Sequence, residues 1–117
     1  MQPITQVYSD AARKAVAKSP NFGFAHARVA ELEFSFARAE AAQAALDKSL
    51  ALAPRNAQAH ALAGFTHAAK GRAKAAEQSF ENAIALDPGL ANGWLGRGLI
   101  RIRQGRGVEG RQDLQVA

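Results

Sequence analysis

The residues able to do chemistry are few, and their spacing speaks against most of it. His26 and His60 stand 34 residues apart, and His67 follows His60 by seven. A metal site on a helix gathers its ligands at i,i+4, with a carboxylate or a further histidine in support. These spacings do not meet that need, so the histidines read as packing residues. Glu31 and Glu33 are two apart and leave one helix on different sides, while the other carboxylates are scattered singly. Neither a G-x-S-x-G serine motif nor a Walker pattern is present. Gly93, Gly96 and Gly98 come near the dinucleotide motif G-x-G-x-x-G, but inside a helical stretch rather than after a strand. Cysteine is absent, which excludes disulfide scaffolds, thiol nucleophiles and thiolate zinc sites. The expectation is a chain that is not an enzyme, with no catalytic residue, no cofactor and no metal.

Arginine is the remaining candidate. Arg97, Arg101, Arg103, Arg106 and Arg111 crowd the last quarter, opposed there only by Glu109 and Asp113, and the whole chain carries a net charge of +5. Two readings stand side by side. Arg97 and Arg101, at i,i+4, pair with Glu109 and Asp113, because a buried unpaired guanidinium is very costly. Otherwise the cluster is a basic patch for an acidic ligand or nucleic acid. Aromatic side chains interleaved to stack bases are lacking, and Trp94 is better used in packing, which argues against nucleic acid.

The elements that must position these groups are helical. A length of 117 residues gives one domain's worth of core. About a quarter of the residues are alanine, and only 7% are aromatic, a balance that favours helix over sheet. No run approaches the roughly 20 apolar residues that span a bilayer. The N-terminus lacks a signal-peptide layout, but an excerpt would be missing its true start, so cytoplasm and periplasm both stay open. Three of the four prolines, Pro20, Pro54 and Pro88, are spaced 34 residues apart. Ala25-His26-Ala27 returns as Ala59-His60-Ala61, Arg38-Ala39 as Arg72-Ala73, and Gly71-Arg72 as Gly105-Arg106. Proline ends a helix, and a mid-unit glycine lets one helix stop and the next begin. Apolar residues at helical spacing predict helices over 4–18, 22–36, 39–53, 57–70, 73–87, 91–104 and 107–117.

In this pattern the chain resembles the tetratricopeptide repeat, and within that family a fragment of a bacterial-type array. His60, Ala63, Gly64 and His67 stand where the family places Trp, Leu, Gly and Tyr; Ala76, Phe80, Ala83 and Pro88 match its second helix. Trp94 and Gly98 fit the next unit, although Arg97 and Arg101 occupy positions where the family has Leu and Tyr. The unit over 23–56 is looser, with Ala37 in place of the turn glycine and Ser49 in place of a small apolar residue. The resemblance implies an all-α, right-handed superhelical solenoid of antiparallel helix pairs, a single domain over 1–117. It would comprise the second helix of a partial repeat (1–22, with Tyr8, Ala12 and Ala15 at core positions), repeats over 23–56 and 57–90, and an incomplete repeat over 91–117. Because Leu114 and Val116 would lack a covering helix, the phase suggests an excerpt of a longer array. The alternative is an array completed by a second copy.

The resemblance also implies a site. Partners of related proteins lie along the concave face of the first helices. Here that face carries Phe24, Ala27, Glu31 and Phe34, then Gln58, Ala61 and Phe65, then Asn92, Leu95, Leu99, Ile102 and Arg103. A protein or peptide segment with hydrophobic anchors suits such a strip. Filling of the strip by another part of the full protein or by a neighbouring copy is the alternative. Chaperone-binding members grip a terminal carboxylate with Lys, Asn and Arg; the corresponding positions hold Ala27, Glu31, Leu62, Asn92 and Gly96, and none supplies the cation.

Overall fold

A computed structural model describes residues 23–35 and 37–117, together with Asp10, Ala11, Arg13, Lys14 and Ala17. Six helices follow in order: α1 (Gly23–Ser35), α2 (Ala39–Leu52), α3 (Ala57–Ala69), α4 (Ala73–Leu86), α5 (Ala91–Arg103) and α6 (Gly107–Val116). No strand occurs among the described residues. Each helix keeps to its predicted span within one or two residues. Of the helix expected over 4–18, the five described residues are helical; its expected core, Tyr8, Ala12 and Ala15, lies outside the described residues.

The repeat period is set by backbone chemistry at two recurring points. Pro54 and Pro88 stand two residues past the ends of α2 and α4, where the missing amide forbids another helical turn. Within each helix pair, positions 37, 71 and 105 adopt the left-handed conformation, with φ of 60°, 73° and 83°. The hydrogen bonds around them repeat as well. The Gly71 amide donates to the Ala68 carbonyl (3.0 Å) and the Arg72 amide to that of His67 (2.9 Å). Gly105 and Arg106 do the same to Ile102 and Arg101, and Ala37 and Arg38 to Phe34 and Glu33. These are Schellman closures, which satisfy carbonyls that the end of a helix would otherwise leave open.

Only position 37 carries a Cβ there. An L-residue in this conformation pays about 1–2 kcal/mol, and part of any gain on changing it to glycine is returned through the unfolded chain's extra freedom. Ala37→Gly is therefore expected to stabilise the fold by about 0.5–1 kcal/mol. A rise in the urea midpoint at unchanged slope is the result to look for; a midpoint that stays or falls would contradict the strain at this turn.

The chain divides into two compact units, Met1–Arg55 and Asn56–Ala117. In the first, α1 packs on α2 around fully buried Ala30, Ala42, Leu46 and Ser49. The Ser49 hydroxyl is enclosed without a hydrogen-bond partner, one period before Ala83, which is equally buried and has no polar group to satisfy. Glu33 is also interior, and its carboxylate accepts from Arg13 and Arg38.

In the second unit α3 packs on α4, α4 on α5 and α5 on α6, and α3 reaches α5 directly. Phe80 of α4 is fully buried at the centre, with Ala76 and Ile100 beside it. The ring lies between the backbones of α3 and α5. A Cβ on Gly64 would stand 2.5 Å from it, and one on Gly96 closer still. Phe80 thus joins consecutive repeats, and two glycines make the slot it occupies. Farther along, Gly98 and Gly110 let α5 and α6 cross with their backbones touching: a Cβ on Gly98 would come 2.7 Å from the Gly110 carbonyl oxygen. Trp94 packs at the start of α5, its Nε1–H donating to the Pro88 carbonyl at 2.9 Å.

Candidate functional site

The second unit contains a groove of about 360 Å³. Phe65 and Ala68 of α3 form one wall and Phe80 of α4 lies at the base. Gly96, Leu99 and Ile100 of α5 line the other side, continued by Ile102 and Arg103. The fully buried Phe80 ring packs against the bare backbone of Gly96 beneath this groove, and the half-buried Phe65 ring meets it edge-on with centroids 4.9 Å apart. Along α5 the spacing Leu95, Leu99, Ile102 and Arg103 keeps one stripe of the helix together. Leu99 is 48% and Ile102 40% exposed, so the stripe is apolar and uncovered.

Of the residues expected on the binding face, the groove brings together Phe65, Leu99, Ile102 and Arg103. Leu95 is exposed on the same stripe, and Gln58 and Asn92 are exposed near the starts of α3 and α5, none of them lining it. Ala61 is buried, 2% exposed, and presents almost nothing to a ligand. In the first unit Ala27 and Phe34 are half-buried on α1, and Glu31 is exposed and paired with Arg28 at 3.3 Å. Phe24 belongs to α1, but its side chain lies outside the described residues. The groove's base, formed by Ala68, Phe80, Gly96 and Ile100, was not among the expected residues. Gly96 carried the one available signal: a glycine inside a helix costs about 1 kcal/mol and asks for a packing reason.

The arginine question is answered by geometry. Asp113 of α6, nearly buried, accepts from Arg97 through Nε (3.0 Å) and Nη2 (2.9 Å) and from Arg101 through Nη1 (3.0 Å). Arg101 turns its Nε toward Glu77 of α4 at 3.2 Å. Arg106 donates to the same Glu77 oxygen at 2.7 Å and to Gln104 at 2.6 Å. Glu109 stands 3.8 Å from Arg106 and 4.0 Å from Arg101. Three guanidinium groups and three carboxylates thus tie α4, α5 and α6 into one cluster. Arg97 also stacks over Trp94, 5.0 Å from the ring centroid.

Protonation preferences follow the same contacts. Burial pushes the Glu77 carboxyl up, but hydrogen bonds and charge from Arg106 and Arg101 outweigh it and hold the group below its ordinary value. The bidentate Asp113 bond raises the Arg97 guanidinium above its usual range against an opposing burial effect. Asp113 was an expected partner; Glu77, on a helix packed from the other side, was not. Arg103 and Arg111 have no ion pair among the described residues, and Arg103 faces the groove.

His26 is buried in the first unit, and His60 and His67 are half-buried on α3. Among the described residues no three His, Asp or Glu side chains form a group able to hold a metal ion. No helix there is long and apolar enough to cross a membrane.

No family model and no curated protein matches the sequence. Solved structures do match. A MamA chain from Desulfovibrio magneticus RS-1 is 19% identical, over 95% of this chain and 63% of that one, with a TM-score of 0.78. PilF of Pseudomonas aeruginosa is 22% identical, over 96% and 53%, with a TM-score of 0.81. The second TPR of Spaghetti (RPAP3), bound to the HSP90 peptide SRMEEVD, is 21% identical, over 80% and 87%, at 0.73. The chain spans about 63% of the length of the MamA chains it matches. These neighbours are tetratricopeptide-repeat proteins, and this chain has their fold of antiparallel helix pairs.

Proposed function

We propose that the chain is a non-catalytic protein–protein interaction module that seats an apolar protein or peptide segment in the groove of its second unit. The observation that carries this reading is the groove itself: a preformed apolar cleft walled by half-buried Phe65, which is backed edge-on by the buried Phe80 ring, and bordered by exposed Leu99 and Ile102. Water in such a cleft is displaced at a gain by hydrophobic side chains, and one charged rim group supplies orientation. A neighbour of the same fold holds a peptide, which supports the class of partner. The terminal-carboxylate grip of chaperone-binding relatives does not carry over. Leu62 is buried and Gly96 packs against Phe80, so neither position offers a cation.

The test is selection from a displayed random peptide library on the purified chain, repeated with Leu99→Asp. Leu99 is half exposed, so the variant should fold with nearly unchanged stability while affinity for the selected peptides falls at least about tenfold. Peptides held equally by both proteins would place binding elsewhere.

A second reading, self-association, is favoured by α6, where Val108 is 65% and Val116 57% exposed. Light scattering over a concentration range separates the two: a monomer at all concentrations removes self-association and leaves the groove for a foreign segment. A basic patch for nucleic acid is poorly supported, since Arg97, Arg101 and Arg106 are occupied by carboxylates.

A further inference from the structure

We infer that the groove selects a peptide segment with an acidic residue beside its apolar anchor, and that Arg103 is the group that reads the carboxylate; this rests on the groove being a peptide site. Every other residue lining the groove is apolar, and Arg103 is the one charge there. Its neighbours along the chain are committed elsewhere: Arg101 to Asp113 and Glu77, and Arg106 to Glu77. Two residues along a helix turn a side chain to another side of the axis. Arg101 therefore points into the ion cluster, and Arg103 stands apart from it at the groove's rim with no ion pair among the described residues.

The occupant's chemistry follows from complementarity. A guanidinium offers a planar fork of donors that a carboxylate matches in two parallel bonds. Beside an apolar wall such a bond is less screened than on an open surface. Leu99 and Arg103 are four residues apart on one helix, about 6 Å along its axis, and an extended peptide advances about 3.3 Å per residue. The acidic residue thus falls one or two positions from the side chain that fills the space between Phe65 and Leu99. The net charge of +5 draws acidic segments toward the chain in general. A nucleic acid fits less well, because a polyanion needs several free cations in a row and the groove offers one.

The experiment is the same peptide selection carried out on the wild-type chain, Arg103→Glu and Leu99→Asp, with circular dichroism confirming that all three fold. Wild-type binders are expected to carry Asp or Glu one or two positions from a bulky apolar residue. Arg103→Glu should weaken them about three- to tenfold and should select Lys or Arg at that position instead. Wild-type binding should fall only a few-fold between 50 and 200 mM salt, as a single ion pair requires, whereas a polyanion site would lose about a thousandfold or more.

Apolar binders with no acidic preference, held equally by Arg103→Glu but lost in Leu99→Asp, would overturn the role of Arg103 and leave the groove standing. An acidic preference indifferent to Arg103→Glu would overturn it as well. Absence of any peptide lost in Leu99→Asp would remove the groove reading itself. Displacement of bound peptide by a single-stranded oligonucleotide, dependent on Arg103, would replace the proposed partner class.

Discussion

Asp113→Ala is expected to lower the unfolding free energy by about 3 kcal/mol. The side chain is 5% exposed and accepts three hydrogen bonds from Arg97 and Arg101, each of which is only 17% exposed. Pairs between exposed charges are worth at most about 1 kcal/mol. Removing one partner from an enclosed pair costs about 3–5 kcal/mol, because the charge left behind has neither water nor a counter-ion. The lower end applies here, since Arg101 keeps Glu77 and Arg97 keeps the face of Trp94.

Asp113→Asn retains an acceptor but no charge and should cost about half as much. The triple change Arg97→Leu, Arg101→Tyr and Asp113→Leu removes both sides of the arrangement together and should recover most of the loss. Urea titrations followed by circular dichroism check all three proteins. An Asp113→Ala unfolding free energy within about 0.5 kcal/mol of the wild type would show that water screens the cluster as it does an open surface.

Gly96→Ala should destabilise the chain by about 2 kcal/mol, although helix propensity alone predicts a gain of about 1 kcal/mol. The added methyl would meet the Phe80 ring well inside van der Waals contact. The ring can retreat only at the cost of its own contacts, because Gly64 bounds its other side and the Phe65 ring abuts it at 4.9 Å. Overpacking of this kind costs about 1–3 kcal/mol and occasionally more, which outweighs the propensity term. The displaced ring would also narrow the groove that Gly96 lines, so affinity for groove-bound peptides should fall with stability. Trimming the ring in Gly96→Ala/Phe80→Leu should restore part of the lost stability, as expected when two sites share one contact. A Gly96→Ala protein as stable as the wild type, or more so, would contradict the slot described for Phe80.

The departures from the repeat pattern have separate consequences. Ala37 keeps the left-handed turn that Gly71 and Gly105 adopt at the same phase, so the closure of the helix pair prevails over the preference of the residue. Ser49 keeps a buried place that calls for a small side chain, and its hydroxyl stays unsatisfied. Arg97 and Arg101 stand where the related pattern has apolar and aromatic residues, and carboxylates from α4 and α6 neutralise them there. In each case local preference yields to packing.

What the amino-acid order alone determined is the set of features that rest on neighbours in the chain. Pro54 and Pro88 remove amides, Gly71 and Gly105 permit one backbone turn, and the 34-residue recurrence of such marks sets helix limits to within a residue or two. The exposed lip of the groove was legible for the same reason, since Leu99, Ile102 and Arg103 share a stripe that helical geometry alone creates. Only the tertiary structure decided what depends on the spacing between helices. Phe80, Gly96 and Ile100 read as core in any helical register and are buried; whether an open groove lies above them depends on how far apart α3 and α5 stand. Glu77 and Arg101 are 24 residues apart on different helices, and charge attraction prescribes no sequence separation. Their pairing, which leaves Arg103 outside the ion cluster, arises only once α4 and α6 close against α5.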